Sequence, residues 1–199
     1  AGVVDAGLGA ADENLRRPRQ RAPDHGAGRR LSGHPRLDHQ HLADLAIEGL
    51  QQRARSRGIK GGREAEALAD VREAHALAVK YFGESDRRTL QATVRLQAYL
   101  DDAPIAQRLE LTGNAYRAAL TNIDRTDPIF IEVQAAHGGN LCQAGQGREG
   151  LELLRSAVDT ARQRHGGGII TERVLQALQW GLLSTGDVAA GLEGAREAY

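Results

Sequence analysis

Several residue types are scarce in this chain of 199 residues, and each scarcity excludes a class of protein. The single cysteine, Cys142, excludes an internal disulfide framework and a zinc site built from several cysteines. No apolar run approaches the roughly 20 residues that span a bilayer, and the first residues lack the apolar segment of a signal peptide. The formal net charge is zero, which argues against a dedicated nucleic-acid-binding protein. We therefore expect a cytoplasmic protein without a membrane partner.

Methionine is absent, and only two of the 26 basic residues are lysine. This bias is typical of a GC-rich coding sequence and carries no functional information by itself. The chain also lacks an initiator methionine and finishes inside a helical pattern, GLEGAREAY. We expect it to be part of a larger bacterial regulatory protein.

The N-terminal and C-terminal parts of the chain differ in net charge and in amino-acid composition. Residues 1–62 carry a net charge of +4 and residues 63–199 a net charge of −4. Apolar residues at helical spacing predict a helix over residues 1–17 that Pro18 ends. Residues 18–41 are rich in Arg, Gly and Pro and have few aliphatic side chains. We expect them to form a basic loop that is either disordered or loosely attached, because they cannot bury enough apolar surface to offset the entropy of ordering.

Residues 15–36 contain seven arginines and one acidic residue, Asp24. An anionic partner, such as a nucleic acid or a lipid surface, is one interpretation. A solvated linker is the interpretation that we favour, because that is the usual role of charged runs. Translation of a GC-rich stretch out of frame is a third possibility, and the sequence leaves all three open.

From Leu42 onward, apolar residues recur at helical spacing and no segment alternates like a strand, so we predict an all-α fold. Glycine or aspartate marks a short turn at Gly61–Gly62, Asp102–Ala103, Gly145–Gln146 and Gly186–Asp187. Successive turns are separated by 42, 42 and 41 residues. This period predicts an array of helical hairpins over residues 42–199, and the hairpins cover approximately residues 42–81, 86–121, 127–164 and 169–199.

Small residues occupy matching positions on either side of these turns. Gly138 lies seven residues before Gly145, and Gly150 and Ala157 follow that glycine by five and twelve residues. Antiparallel helices approach closely only where small side chains face each other. We therefore expect the paired helices to come into close contact at these positions.

This pattern resembles the tetratricopeptide repeat (TPR) family, in particular its kinesin-light-chain type, whose repeats are about 42 residues long. Gly83, Asp86, Thr89 and Leu90 match the segment that commonly precedes helix A in that type, and NLCQAGQGREGLELL (140–154) is similar to it around the turn. The resemblance implies an α-solenoid whose A helices line a concave surface that binds a protein or peptide. Arg108 departs from it, as does Ala136–His137, which replaces a pair of asparagines that commonly bind peptide backbone.

The repeat phase places a set of candidate partner-binding residues on the concave side: Thr93, Gln97, Glu132, Gly139, Gln143, Arg173, Gln176 and Trp180. Glutamine and arginine side chains there would bond to an extended backbone. Trp180 is either an aromatic anchor for the partner or a packing residue beneath a following helix. Because no helix would cover the last hairpin, we also expect Leu182 and Leu192 to be exposed.

No motif predicts catalysis, a cofactor or a metal. GQGREG (145–150) matches GxGxxG but does not follow a strand, as a dinucleotide site requires. His39 and His41 beside Asp38 are more typical of solvated residues than of metal ligands, and Cys142 more of a packing residue than of a nucleophile. We predict a non-catalytic interaction module, a scaffold or regulatory adaptor. The alternatives are the sensory part of a larger bacterial Ser/Thr kinase or transcriptional regulator, and a helical enzyme with an unfamiliar site.

Overall fold

A computed structural model describes residues 38–187 of the chain. Within that range it contains seven helices and no strand, so the prediction of an all-α fold is confirmed for this part. The helices are α1 (His39–Lys60), α2 (Glu64–Phe82), α3 (Arg87–Gln97), α4 (Ile105–Asn122), α5 (Pro128–Gln143), α6 (Gly147–His165) and α7 (Ile169–Ser184). The predicted helix over residues 1–17, all but the end of the loop over 18–41, and the segment from Val188 to Tyr199 with Leu192 lie outside the described residues.

Aspartate begins three of the odd-numbered helices. The carboxylates of Asp38, Asp86 and Asp127 accept hydrogen bonds from backbone N–H groups in the first turns of α1, α3 and α5, at 2.7 to 2.8 Å. Such caps satisfy amide groups that have no partner inside the helix. The Asp38 cap starts α1 at His39, three residues before the predicted start at Leu42.

Glycine occupies the turns that follow three odd-numbered helices, α1, α5 and α7. Gly61, Gly145 and Gly186 have φ values of 65°, 80° and 83°, a left-handed conformation that other residues rarely adopt. Each of these three glycines lies within one of the turns predicted from the sequence. The predicted turn at Asp102–Ala103 falls in the segment between α3 and α4, where Pro104 precedes the first residue of α4.

Helices that are consecutive in the sequence pack against each other in antiparallel pairs. In the first pair, Arg53 of α1 binds Asp70 of α2, and Arg57, one turn further along α1, reaches back to Glu66. In the third, Gln134 of α5 donates to Leu153 O of α6 at 2.9 Å, and Gly138 lies opposite Gly150. In both pairs, moving toward the C-terminus of one helix leads to contacts nearer the N-terminus of the other, which shows that the two helices are antiparallel.

The odd-numbered helices α3, α5 and α7 run parallel to one another. Arg87 binds Asp127 near the starts of α3 and α5, whereas Gln97 and Asn140 meet near their ends. Similarly, Arg173 binds Glu132 near the starts of α7 and α5. Among the described helices, α5 packs against both α3 and α7, but no two even-numbered helices pack together. The helices α3, α5 and α7 therefore form a continuous row.

The core consists of four clusters of buried, mainly aliphatic side chains. Two lie among α1, α2 and α3, one among α3, α4 and α5, and one among α5, α6 and α7. The expectation that Leu182 is exposed is wrong, since its side chain is buried. Leu182 belongs to the same face of α7 as Thr171, Val174 and Gly181, which are also buried. This face packs against α5 and α6, and a Cβ on the neighbouring Gly181 would lie against Leu154 of α6 and Cys142 of α5.

Candidate binding groove

A groove with a volume of about 400 Å³ lies along the row of parallel helices. Its floor consists of small apolar residues, among them Ala135, Ala136 and Ala177, and its rim consists of polar side chains. We call this cavity the central groove. The polar residues that line it come from four helices and are Arg55, Gln91, Arg95, Gln97, Glu132 and Arg173.

Positive charge dominates the rim of the central groove. Arg55, Arg95 and Arg173 face a single carboxylate, Glu132, which gives the lining a net charge of +2. Glu132 accepts a hydrogen bond of 2.5 Å from Nη1 of Arg173, so this pair neutralises itself. Glu132 is largely covered while the Arg173 side chain is 57% exposed, so much of the guanidinium still faces solvent.

Arg95 is held by an uncharged group. Its Nη1 donates to Oε1 of Gln51 on α1, a residue 44 positions earlier in the chain. Burial lowers the pKa of the Arg95 guanidinium, the neighbouring charges of Arg55 and Arg173 lower it further, and Glu132 and Glu48 oppose them. Removal of the guanidinium from water is the largest of these causes, so the shift mainly reports how far Arg95 is buried.

Gln97 is positioned by a polar network behind the groove. Its Nε2 donates to Oδ1 of Asn140, a fully buried residue of α5, at 3.4 Å. Asn140 in turn donates to Oγ1 of Thr112 at 3.2 Å and to the backbone oxygen of Arg108 at 3.4 Å, both on α4. Oε1 of Gln97 is buried and accepts no hydrogen bond from the described residues. Most buried acceptors have a donor, so this atom is an unmet acceptor beside the groove.

The structure brings three of the predicted site residues together, since Gln97, Glu132 and Arg173 all line the central groove. Trp180 does not line the groove but lies seven residues after Arg173, on the same face of α7, with 60% of its surface exposed. Gly139 and Gln143 continue the face of α5 that carries Glu132 and Ala136, outside the groove, and Gln143 is exposed. Gln176 is exposed on α7 and also lies outside the lining.

Thr93, the remaining predicted site residue, does not line the central groove. Only 4% of its surface is exposed, and its Oγ1 lies 3.1 Å from Nε2 of His75 on α2. The hydroxyl also donates to the Thr89 backbone oxygen one turn earlier. Thr93 and Gln97 share a helical stripe, but the groove takes its α3 side chains from Gln91, Val94, Arg95, Gln97 and Ala98. The face of α3 that lines the central groove therefore does not include Thr93.

Sequence reasoning missed Arg55, Gln91 and Arg95. The spacing of Arg88, Gln91 and Arg95 by three and four residues forms a polar stripe on α3, which is a signal that was available. For Arg55 there was no comparable signal. Its place in the lining depends on how α1 approaches α3, which the sequence pattern of α1 does not encode.

The motifs weighed for other chemistry have structural roles. In GQGREG, Gly145 ends α5 with a positive φ, and a Cβ on Gly150 would lie 2.5 Å from the backbone oxygen of Gly138. Cys142 is buried, which raises the pKa of its thiol. The carboxylate of Asp38 caps α1 through the backbone N–H of His41. Within residues 38–187, no three His, Cys, Asp or Glu side chains gather as a metal site would require.

Neither a protein-family model nor a curated protein sequence matches this chain. Among the helices that the structure describes, none combines the length and apolarity needed to cross a lipid bilayer.

Proposed function

We propose that the chain is a non-catalytic interaction module and binds an extended peptide segment of a partner protein in the central groove. The observation that carries the proposal is the composition of the groove. Parallel helices contribute amides, guanidinium groups and one carboxylate around a floor of alanine and valine. Such a surface suits a polypeptide, whose backbone needs polar partners and whose small apolar side chains need contact area.

The packing of the helices supports an α-solenoid of TPR-like hairpins, of the kinesin-light-chain type that the sequence resembles. Consecutive helices are antiparallel, α5 packs on α3 and on α7, and no two even-numbered helices within residues 38–187 pack on each other. Hydrogen bonds join side chains about one repeat apart, namely Gln51 to Arg95, Gln97 to Asn140, and Glu132 to Arg173. In a solenoid each repeat contacts its neighbours in this way and leaves one row of helices as a recognition surface.

Trp180 extends the proposed site beyond the groove. It is exposed on the face of α7 that carries Arg173 and Ala177, so a peptide leaving the groove along α7 would meet its ring. Large aromatic side chains commonly anchor protein interfaces. Of the two roles that the sequence left open, packing beneath a following helix and anchoring a partner, the proposal adopts the anchor.

The proposal is tested by exposing the labelled full chain to an array of synthetic peptides of diverse sequence. We expect a subset of peptides to bind and Ala136→Trp, which fills the groove, to abolish that binding. Ala69→Trp introduces the same ring at an exposed position of α2 and serves as the matched control. Circular dichroism and urea unfolding establish that both variants retain the native fold.

Two further variants keep the test decisive if Ala136→Trp does not fold. Trp180→Ala and Arg173→Ala remove exposed side chains and should each weaken binding by about thirtyfold if they act as central anchors. A chain without residues 15–36 identifies the alternative site. Binding that survives every groove variant but disappears with those residues would assign recognition to the basic segment and overturn the proposal.

A further inference from the structure

The charge of the central groove indicates what kind of peptide it would accept. Three guanidinium groups border the cavity, and the one carboxylate, Glu132, is already bonded to Arg173. Arg55 has no hydrogen bond or ion pair with residues 38–187, and Arg95 donates its hydrogen bond to the amide oxygen of Gln51. Within residues 38–187, Arg55 and Arg95 therefore form no ion pair with a carboxylate, and the groove that they line also contains apolar surface.

The amount of uncompensated charge discriminates between anionic groups. A glutamate or aspartate side chain carries one negative charge and would balance half of the surplus. A phosphoserine or phosphothreonine carries between about −1.5 and −2 at neutral pH and presents three strong acceptor oxygens. Arginine is also well suited to phosphate, because its planar fork donates two parallel hydrogen bonds.

We propose that the central groove binds a phosphorylated serine or threonine of the partner peptide, held by Arg55 and Arg95 and bordered by Arg173. The proposal rests on the proposed function and adds to it the chemical group that is recognised. Recognition would then depend on a modification of the partner, so that phosphorylation of the peptide controls its association with this chain.

The three arginines differ in how firmly the surrounding residues hold their side chains before a peptide binds. Arg173 is oriented by Glu132, and Arg95 is oriented by Gln51 and partly covered, so both present guanidinium groups that are already fixed. Fixed donors lose less entropy on binding than mobile ones. Arg55 is exposed on α1 and would move onto the phosphate when the peptide enters.

The experiment compares matched peptides on the full chain by fluorescence anisotropy. Each sequence that binds in the array is synthesised with serine, phosphoserine or glutamate at each position in turn. We expect one position at which phosphoserine binds at least about tenfold more tightly than serine, with glutamate between them. Arg95→Gln and Arg55→Gln should each remove most of this preference, whereas Arg155→Gln, the same change on an exposed part of α6, should leave it intact.

Inorganic phosphate is titrated alone as a separate arm. If it binds as tightly as the best phosphopeptide, the groove takes a free anion and the phosphopeptide proposal is wrong. A second outcome would also contradict the phosphopeptide proposal: peptides whose binding is abolished by Ala136→Trp, but which bind equally tightly with serine and with phosphoserine. That outcome would leave the proposed function in place. If no peptide of any form binds, the proposed function fails and this inference fails with it.

Discussion

Gly138 and Gly150 face each other so closely that a Cβ built on Gly138 would lie 2.9 Å from the backbone oxygen of Gly150. This contact fixes the separation of α5 and α6, because backbone atoms of both helices meet there. Side-chain atoms of Leu154 and Leu153 would lie 3.1 and 3.2 Å from the same Cβ. An added methyl group would therefore be crowded by both the backbone and the side chains of α6.

Gly138→Ala should therefore destabilise the protein, by about 2 kcal/mol, as overpacked cores commonly do. Gly139→Ala is the matched control, since nothing lies within 4 Å of a Cβ at the next position of the same helix. There the alanine should be neutral or stabilise by up to about 1 kcal/mol. Urea unfolding monitored by circular dichroism measures both changes. Equal midpoints for the two variants would show that α5 and α6 do not meet at Gly138.

Asp70 forms a buried ionic link between α1 and α2. Its carboxylate accepts hydrogen bonds from Arg53 at 2.7 Å and from Arg57 at 2.5 Å. Asp70→Asn removes the negative charge between two guanidinium groups and should cost about 2 kcal/mol, the usual scale for hydrogen bonds to charged groups. Asp102→Asn, an exposed change of the same kind, is the control in urea unfolding and should have little effect.

Acid should weaken the Asp70 link. The hydrogen bond from Arg53, together with the charges of Arg53 and Arg57, holds the pKa of the Asp70 carboxyl below its ordinary value of 3.8, although burial opposes this. A carboxyl with a lowered folded pKa stabilises the fold above its unfolded pKa, and that stability is lost as the pH falls through the folded pKa. The stability difference between wild type and Asp70→Asn should therefore shrink below about pH 4. A difference that is constant from neutral pH to about pH 2 would contradict this assignment.

Two half-buried histidines should make the fold sensitive to mild acid. Burial lowers the pKa of His75 and of His137, so both are neutral in the folded protein near pH 7. His137 stacks on Tyr116 with ring centroids 5.4 Å apart. Because the unfolded imidazoles bind protons more readily, stability is complete above about pH 6.5 and decreases as the pH falls through the lowered folded pKa values.

The measurement for the histidines is the urea midpoint at about pH 7.5 and about pH 5.5. His137→Phe keeps a ring beside Tyr116 but cannot be protonated, and it should show a smaller loss between the two pH values than wild type. The exposed His41→Gln should match wild type. If His137→Phe loses as much stability in acid as wild type, protonation of His137 does not contribute.

Cys142 should be inert in the folded protein. Its side chain is buried near Gly150 and Gly181, where an added Cβ would lie 2.6 and 3.2 Å from Sγ, and burial raises its thiol pKa. Thiolate formation and reagent access are therefore both suppressed. Because the chain has one cysteine, alkylation by iodoacetamide followed by mass spectrometry reports on this site alone. We expect slow labelling in buffer and rapid labelling in urea, and rapid labelling in both would place the thiol at the surface.

The sequence predicted the local elements because short-range physics determines them. Leu90, Val94 and Leu96 recur at helical spacing, and Gly61, Gly145 and Gly186 provide the left-handed residues that end helices. Both signals depend only on neighbours in the chain. The close approach at Gly138 and Gly150 was also accessible, since it follows from two small residues placed symmetrically about one turn.

The groove was only partly predictable. The repeat phase selected Gln97, Glu132 and Arg173, which line the groove. It also selected Thr93, which is buried against His75, because a helical stripe does not fix how a helix is rotated against its neighbours. Arg55 and Asn140 escaped prediction for a related reason. Their roles depend on contacts with residues about 40 positions away, and no local pattern encodes such contacts.

The central groove has one further mechanical consequence. Within residues 38–187, α3 and α7 do not pack against each other and are joined only through α5. A ligand that contacts Arg95 on α3 and Arg173 on α7 would therefore link two helices that do not contact each other directly. The distance between α3 and α7 would then become part of what is recognised, so a ligand would have to match the spacing that α5 sets between them.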